Sequence, residues 1–410
     1  CHLNFGIILN LGLFHLTLRR NMKSLDFKVN GFLFSGISAG IKKDGKKDLG
    51  LIYSEVPAQV AGLFTTNAVK AAPVRIGMER IKKGLGQAVI INSGNANACS
   101  GSQGLKDGKR ISSLVGKGLG IKEALVFPSS TGVIGMPLPM EKIEPAVPRL
   151  IEALSPEAWM DTVEAIMTTD TFPKVEVATC RLKGKRVKIC GMVKGAGMIC
   201  PHVATMLSFL VTDAHIKASL LQRLLQEVAE GSYNRITIDG ETSTNDTVLL
   251  LANGKAGHPP ITKVDRDALI FQTKLLEVCQ KLAKSVVRDG EGATKFVEIR
   301  IKRARNREDA KRAAYAIAHS PLVKTAFFGE DANWGRILSA LGHSGVKIDP
   351  DRIDLFFDKL PVVRNGRGVG GQREEEAGQV LKNKSFKVTI DLHKGDDNFS
   401  VFTTDLSIDY

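Results

Sequence analysis

The stretch KGAGMICPHVATMLSFLVTDA, Lys194 to Ala214, is the one around which the rest of the chain is organised. Gly195 and Gly197 allow tight or left-handed turns, and Pro201 holds the residue before it extended. Met206 to Val211 is short and apolar except for Ser208, which suits a buried strand better than a helix of ordinary length. A strained loop followed by a buried strand headed by Thr205 is therefore expected. Such a threonine is either an ordinary strand-edge residue or a placed nucleophile. A hydroxyl at the start of a rigid strand, beside a loop able to carry strain, is where the second would stand.

At 410 residues with 43% apolar content, the chain is long enough for a substantial core and for more than one subdomain. The formal charge of +14 raises nucleic acid as a partner. The only dense basic run, Lys302 to Arg307, has no interleaved aromatics and is followed at once by Glu308 and Asp309. It reads as a solvated face or a helix start, so neither nucleic acid nor a membrane is expected as a partner. A basic balance also suits substrates that carry carboxylates. The six cysteines form no CxxC pair, which points to a reducing compartment, and Cys180, Cys190 and Cys200 lack nearby histidine ligands at zinc spacing. His202 is read as loop decoration, and no metal is expected.

The first 21 residues stand apart. Cys1 opens the sequence, Phe5 to Leu18 is mostly apolar, and Arg19, Arg20 and Met22 follow. The apolar run is shorter than the ~20 residues that span a bilayer. Upstream sequence before a start at Met22, a transit peptide and a signal peptide are the three readings. Arginines without acids suit a transit peptide, and charges placed after the apolar run argue against a signal peptide. Residues 1–21 are thus expected to be a non-native or targeting extension, with upstream sequence preferred.

Beyond Lys23, Leu51 to Tyr53 and Ala61 to Phe64 read as separate strands, and Ala88 to Ile91 as another that runs into the loop NSGNANACSG, Asn92 to Gly101. Leu105, Ile111, Leu114 and Val115 give the next helix an apolar stripe. Ala124 to Phe127 reads as a strand ending at Pro128, before SSTGVIG, Ser129 to Gly135. A strand that ends in hydroxyls and glycine offers N–H and O–H donors to a developing oxyanion. Trp159 to Met167 is helical and leads into the turn TTDTFPK, Thr168 to Lys174. Val175 to Leu182 and Arg186 to Met192 form a hairpin around Lys183, Gly184 and Lys185.

After Thr205 come a core helix over Ile216 to Val228 and the loop DGETSTND, Asp239 to Asp246. That loop fails as an EF-hand, because Thr244 stands where glycine is needed and Leu250 where the bidentate glutamate belongs. A long amphipathic helix, about Asp267 to Val287, ends at DGEGATK, Asp289 to Lys295, where glycines flank Glu291 and free its backbone. A carboxylate so placed is able to hold an amino group, or simply to face solvent. Asp309 to Ala318 is an alanine-rich helix. Gly366, Gly368 and Gly371 satisfy GxGxxG with no clear helix after them, too little for dinucleotide binding. Strands close the chain over Phe386 to Leu392 and Phe399 to Ile408.

Six of these passages, and GEDANWGR at Gly329 to Arg336, resemble in order the signatures of the ornithine acetyltransferase family, also named glutamate N-acetyltransferase: the six are SGNANAC, STGVIG, TTDTFP, the glycine loop with its Ala204-Thr205 pair, DG-x-TSTND and DGEGATK. The resemblance implies an N-terminal-nucleophile enzyme of mixed α/β (α+β) class that cuts itself between Ala204 and Thr205. Its expected segments are an α chain over 22–204 and a β chain over 205–410, assembled as a heterotetramer of two pairs. Thr205 is implied as nucleophile, Thr131 and Gly132 as oxyanion donors, and Thr168, Lys194 and Glu291 as substrate contacts. The implied reaction moves an acetyl group from N2-acetyl-L-ornithine to L-glutamate in arginine biosynthesis. No cofactor is implied, and acetyl-CoA enters only as a second donor. The location implied is cytoplasmic, or the mitochondrial matrix if residues 1–21 are a transit peptide. Family chains continue into an N-A-x-Y-like segment, so a C-terminal truncation is expected here. The alternative function is an amidohydrolase or aminopeptidase of the N-terminal-nucleophile kind.

Overall fold

The computed structural model describes residues 26–200 and 206–410. The extension expected at 1–21 and the Ala204-Thr205 pair lie outside the described residues. The described chain is a mixed α/β protein of two compact units, one built from 26–194, 206–229 and 244–282, the other from 195–200, 230–243 and 283–410.

The first unit carries an eight-stranded sheet. Its strands are β1 (Phe32–Ile37), β2 (Leu49–Phe64), β3 (Leu85–Asn95), β4 (Val126–Val133), β5 (Lys174–Leu182), β6 (Lys185–Lys194), β7 (Leu207–Thr212) and β8 (Thr247–Ala252). They run in the order β4-β3-β2-β8-β7-β6-β5, with β1 added on β2. The β3–β4 and β7–β8 pairs are parallel. The helices are α1 (Ala72–Arg80), α2 (Gly101–Leu119), α3 (Met140–Glu152), α4 (Trp159–Ile166), α5 (Ala218–Glu230) and α6 (Arg266–Arg288), whose last turn runs on into the second unit.

Side chains alternate across a strand, and that period divides this core in two. Val89, Ile91, Phe209 and Val211 share one cluster with Trp159, Val163 and Ile166 of α4. Ala88, Ile90, Leu49 and Leu51 share the other with Ile111 of α2 and Val147 and Leu150 of α3. Burial on both faces is why Ala88 to Ile91 reads as an unbroken apolar run.

Two strand boundaries differ from the sequence reading. Leu51 to Tyr53 and Ala61 to Phe64 belong to the single 16-residue β2, which shifts register between Tyr53 and Ala58. Pro57 falls inside that irregularity, where no ladder N–H is needed. Likewise β4 does not stop at Pro128 but continues to Val133. It stands at the end of the strand order, and an edge strand tolerates the missing donor.

The second unit carries a six-stranded sheet of β9 (Phe296–Ala304), β10 (Asp354–Phe357), β11 (Leu360–Arg364), β12 (Arg367–Gly368), β13 (Ser385–Asp391) and β14 (Asp397–Thr404), in the order β12-β11-β10-β13-β9-β14. Its helices are α7 (Arg307–Ala318), α8 (Pro321–Phe328), α9 (Trp334–His343) and α10 (Gly371–Leu381). Alternate residues Val297, Ile299 and Ile301 of β9 enter one core with Ala310, Ala314 and Ile317 of α7. The basic run at 302–307, read from sequence as a solvated face or a helix start, is the end of β9 and the start of α7. Asn306 caps the helix by accepting the Asp309 N–H at 2.8 Å, and Arg303 grips the Asp391 carboxylate at 2.7 Å. A helix does follow the GxGxxG glycines, contrary to the sequence reading. The strands before it form the antiparallel β11–β12 ladder, not the parallel strand of a dinucleotide fold.

Candidate active site

Thr131 and Gly132 lie near the end of β4, opposite Ser93 and Gly94 of β3. Gly132 has φ +134°, and a methyl group there would fall 2.5 Å from the Asn95 nitrogen and 2.7 Å from the Gly94 Cα. Only glycine allows two backbones to approach this closely with that φ. Register is irregular at this point, where Asn95 opposes both Thr131 and Val133. The SGNAN segment is therefore a bulged continuation of β3 that packs along the Thr131–Gly132 end of β4.

Lys194 ends β6, and its side chain is buried, as is that of Thr131. Four strands separate β4 from β6 in the sheet order, yet Lys194 Nζ donates to Thr131 Oγ1 at 3.2 Å. The sheet is thus curled enough to bring its β4 edge back toward β6. Asn245, just ahead of β8, closes the same corner: its amide donates to the carbonyls of Ala96 at 2.7 Å and Ser130 at 2.8 Å. Leu207, the first residue of β7, is the register partner of Lys194. The Met206 N–H donates to the Asp246 carboxylate at 3.1 Å. A buried lysine, a hydroxyl and a glycine at positive φ gathered here form a group suited to an oxygen that gains negative charge.

Thr168 follows α4. Its N–H donates to Asp170 Oδ2 at 2.9 Å, and Asp170 Oδ1 receives Lys174 Nζ at 2.6 Å in an ion pair whose side chains are both fully buried. The TTDTFPK turn is therefore held by a buried carboxylate.

Glu291 belongs to the second unit and is exposed. Its N–H donates to the Ala196 carbonyl at 2.7 Å, and a methyl group on Gly197 would lie 2.7 Å from its carboxyl carbon. Asp239 caps the same stretch, accepting the N–H groups of Met198 and Ile199, the latter at 3.0 Å. Met198 has φ +57°, so this loop does carry a left-handed, non-glycine residue. The Tyr410 phenol is pushed up to about 12 by burial and by the nearby carboxylates of Asp239, Glu291 and Glu241.

The structure thus joins Thr131, Gly132 and Lys194 in the first unit and sets Glu291 against residues 196 and 197 in the second. Ala204 and Thr205 lie outside the described residues. Asn245, Asp170 and Asp239 were not singled out from sequence, although each sits inside a motif that was. Among the described residues no group of three or more His, Cys, Asp or Glu side chains gathers as metal ligands, and no helix is long and apolar enough to cross a membrane.

The chain is similar to known proteins over most of its length. A family model described as the ArgJ family matches residues 33–410. The arginine biosynthesis bifunctional protein ArgJ of Geobacter sulfurreducens is 51% identical over 382 residues, covering 93% of this chain and 97% of that protein. The protein of the same name from Syntrophotalea carbinolica is 52% identical over 385 residues, again 93% and 97%. Among solved structures, the Bacillus halodurans ArgJ protein is 40% identical, covering 50% of this chain and 97% of that one, with a TM-score of 0.48. An ornithine acetyltransferase of Mycobacterium tuberculosis, solved with ornithine, is 36% identical over 42% of this chain and 92% of that one, with a TM-score of 0.39.

Proposed function

The chain belongs to the ArgJ family, and from that premise we propose that it transfers the acetyl group of N2-acetyl-L-ornithine to L-glutamate through an acetyl-threonine at Thr205, after cutting itself between Ala204 and Thr205. The observation that carries the reading is the Lys194–Thr131 bond. It ties Thr131, read here as an oxyanion donor, to the strand end whose register partner, Leu207, lies two positions after Thr205 in the sequence.

Cleavage starts when the Thr205 hydroxyl adds to the Ala204 carbonyl; the peptide becomes an ester, which water then splits. The freed α-amine has an unperturbed pKa of about 8, so it serves as the base for its own hydroxyl. Thr205 Oγ next attacks the acetyl carbonyl, and the amine takes the hydroxyl proton. Thr131 and Gly132 donate to the oxyanion while the C–N bond breaks, and ornithine departs with the proton. The amino group of glutamate attacks the acetyl-threonine ester, and N-acetylglutamate leaves as the hydroxyl is restored. Thr168, Lys194 and Glu291 hold the charged ends of the two amino acids. The exchange needs no cofactor. Acetyl-CoA is a second acetyl donor in this reading, tested by glutamate acetylation without acetylornithine. The cleaved chains assemble as two pairs in the cytoplasm, and light scattering of the purified protein tests the assembly.

Denaturing mass spectrometry of the purified chain is expected to give two fragments that meet at Ala204/Thr205, replaced by one intact mass in Thr205→Ala. An intact chain with full transfer activity would sink the proposal. Thr131→Val is expected to lower kcat about 100-fold, the usual loss for one oxyanion donor. An amidohydrolase would turn over equally well without glutamate, so acceptor dependence of ornithine release separates the two readings.

A further inference from the structure

The loop that carries Glu291 runs from α6 to β9 with a glycine on either side of the glutamate, Gly290 and Gly292. Such a loop would let a carboxylate swing, yet this one is held by the far end of the chain. Asp405, which follows β14, is 3% exposed. Its Oδ1 accepts the N–H groups of Thr294 and Lys295, both at 2.9 Å, and its Oδ2 accepts the Thr294 hydroxyl. Ser407 adds a bond to the Gly292 carbonyl at 2.6 Å. The loop is thus fastened at 292, 294 and 295, and at Glu291 itself by the bond to Ala196, while the glutamate side chain is left exposed.

A buried carboxylate that accepts three donors has a purpose to be found, because desolvating a charge is costly unless every partner is in place. Part of the compensation comes from Lys324, itself 3% exposed, which donates to the hydroxyls of Thr403 at 3.2 Å and Thr404 at 3.1 Å. Burial pushes this ammonium down to about 8, against the pull of Asp405 and Asp239. The pair of buried charges fixes residues 403–405 and, through them, the Glu291 loop.

We propose that Asp405 is a positioning residue for substrate binding, which through Thr294 and Lys295 holds the Glu291 carboxylate in the one place where it meets the free amino group of the amino-acid substrate. The inference rests on the role given to Glu291 above. Precision of this kind comes from a supporting layer of bonds, and an error of an ångström in a contacting group is enough to weaken binding.

The test compares two acetyl donors on the full-length enzyme: N-acetylornithine, which carries an amino group, and p-nitrophenyl acetate, which does not. Asp405→Asn is expected to raise KM for N-acetylornithine about tenfold, the effect of one lost charge-assisted bond. The loss with N-acetylornithine should exceed the loss with p-nitrophenyl acetate by that same factor. Thr294→Val, which keeps the buried carboxylate, should reproduce the pattern at about threefold, and it serves if Asp405→Asn does not fold. In the background of Glu291→Gln, Asp405→Asn should add nothing, since coupled residues give non-additive losses. Equal losses on both donors, or effects that multiply in the double variant, would overturn the positioning role while leaving the function intact. A Glu291→Gln enzyme with an unchanged KM would remove this inference together with the role of Glu291 on which it stands.

Discussion

His319 shows how a single buried group sets a pH limit on this fold. The Thr237 hydroxyl donates its one proton to the Ile199 carbonyl at 2.9 Å, so its oxygen must accept from His319 Nε2, 3.0 Å away. That places a proton on Nε2, and burial decides whether Nδ1 carries one as well. Burial, then the Lys324 ammonium, push the imidazole below its ordinary value, opposed only by the Asp239 carboxylate. The unfolded chain therefore takes up a proton below about pH 6.5 that the folded chain refuses. The stability tied to neutral His319 is complete above the unfolded pKa and is lost as the pH falls toward the lower folded one. Unfolding free energies from urea titrations at pH 7.5 and 5.5 are expected to fall in the wild type by up to about 1.4 kcal/mol per pH unit from this group, and His319→Gln should flatten that part of the slope. An equal slope in the variant would show that other groups carry it.

At the scale of elements, α4 is the helix on which the Thr168 turn hangs, and Gly36 in β1 is what lets it approach the sheet. A methyl group at Gly36 would overlap the Asp161 carbonyl and lie 2.8 Å from the Thr162 nitrogen. These are backbone atoms of a packed helix, which cannot give way as a side-chain tip does. Gly36→Ala is expected to cost about 2–3 kcal/mol, seen as a lower urea midpoint, the range for overpacking a core. A midpoint within experimental error of the wild type would mean that α4 shifts freely. Elements fixed by local chemistry were the legible ones: Lys183 and Gly184 have φ +46° and +81°, the two-residue turn that the β5–β6 hairpin calls for. Length was hidden where a proline sits in a strand, as in β2 and β4, because position at an edge or bulge is a tertiary property. The motifs marked Thr131 and Lys194, but not that they touch across a curled sheet. Nor did any local signal link Asp405 to Thr294, 111 positions away.

At the scale of the whole molecule, the chain does not divide where it is proposed to be cut. Residues on both sides of Thr205 build each unit. In the first, β6 before it pairs with β7 after it from Ile189–Thr212 to Lys194–Leu207, and β2 pairs with β8 from Gln59–Ala252 to Phe64–Thr247. In the second, the Ile238 N–H donates to the Ile199 carbonyl at 2.9 Å and the Thr237 hydroxyl to the same oxygen. Leu207, Phe209 and Val211 of β7 are at most 2% exposed, in the same cluster as Val89 and Ile91 of β3. Cutting one peptide bond removes none of these contacts, and apolar burial of this kind is not screened by salt. The cleaved protein is therefore expected to run as one species with both fragments in equal amounts in native size exclusion, in 0.1 M and in 1 M salt alike. In 6 M guanidinium the fragments should part. Their separation under native conditions would mean that strands β6 and β7 do not hold the two chains together, and the single sheet described above would have to be abandoned for the processed state.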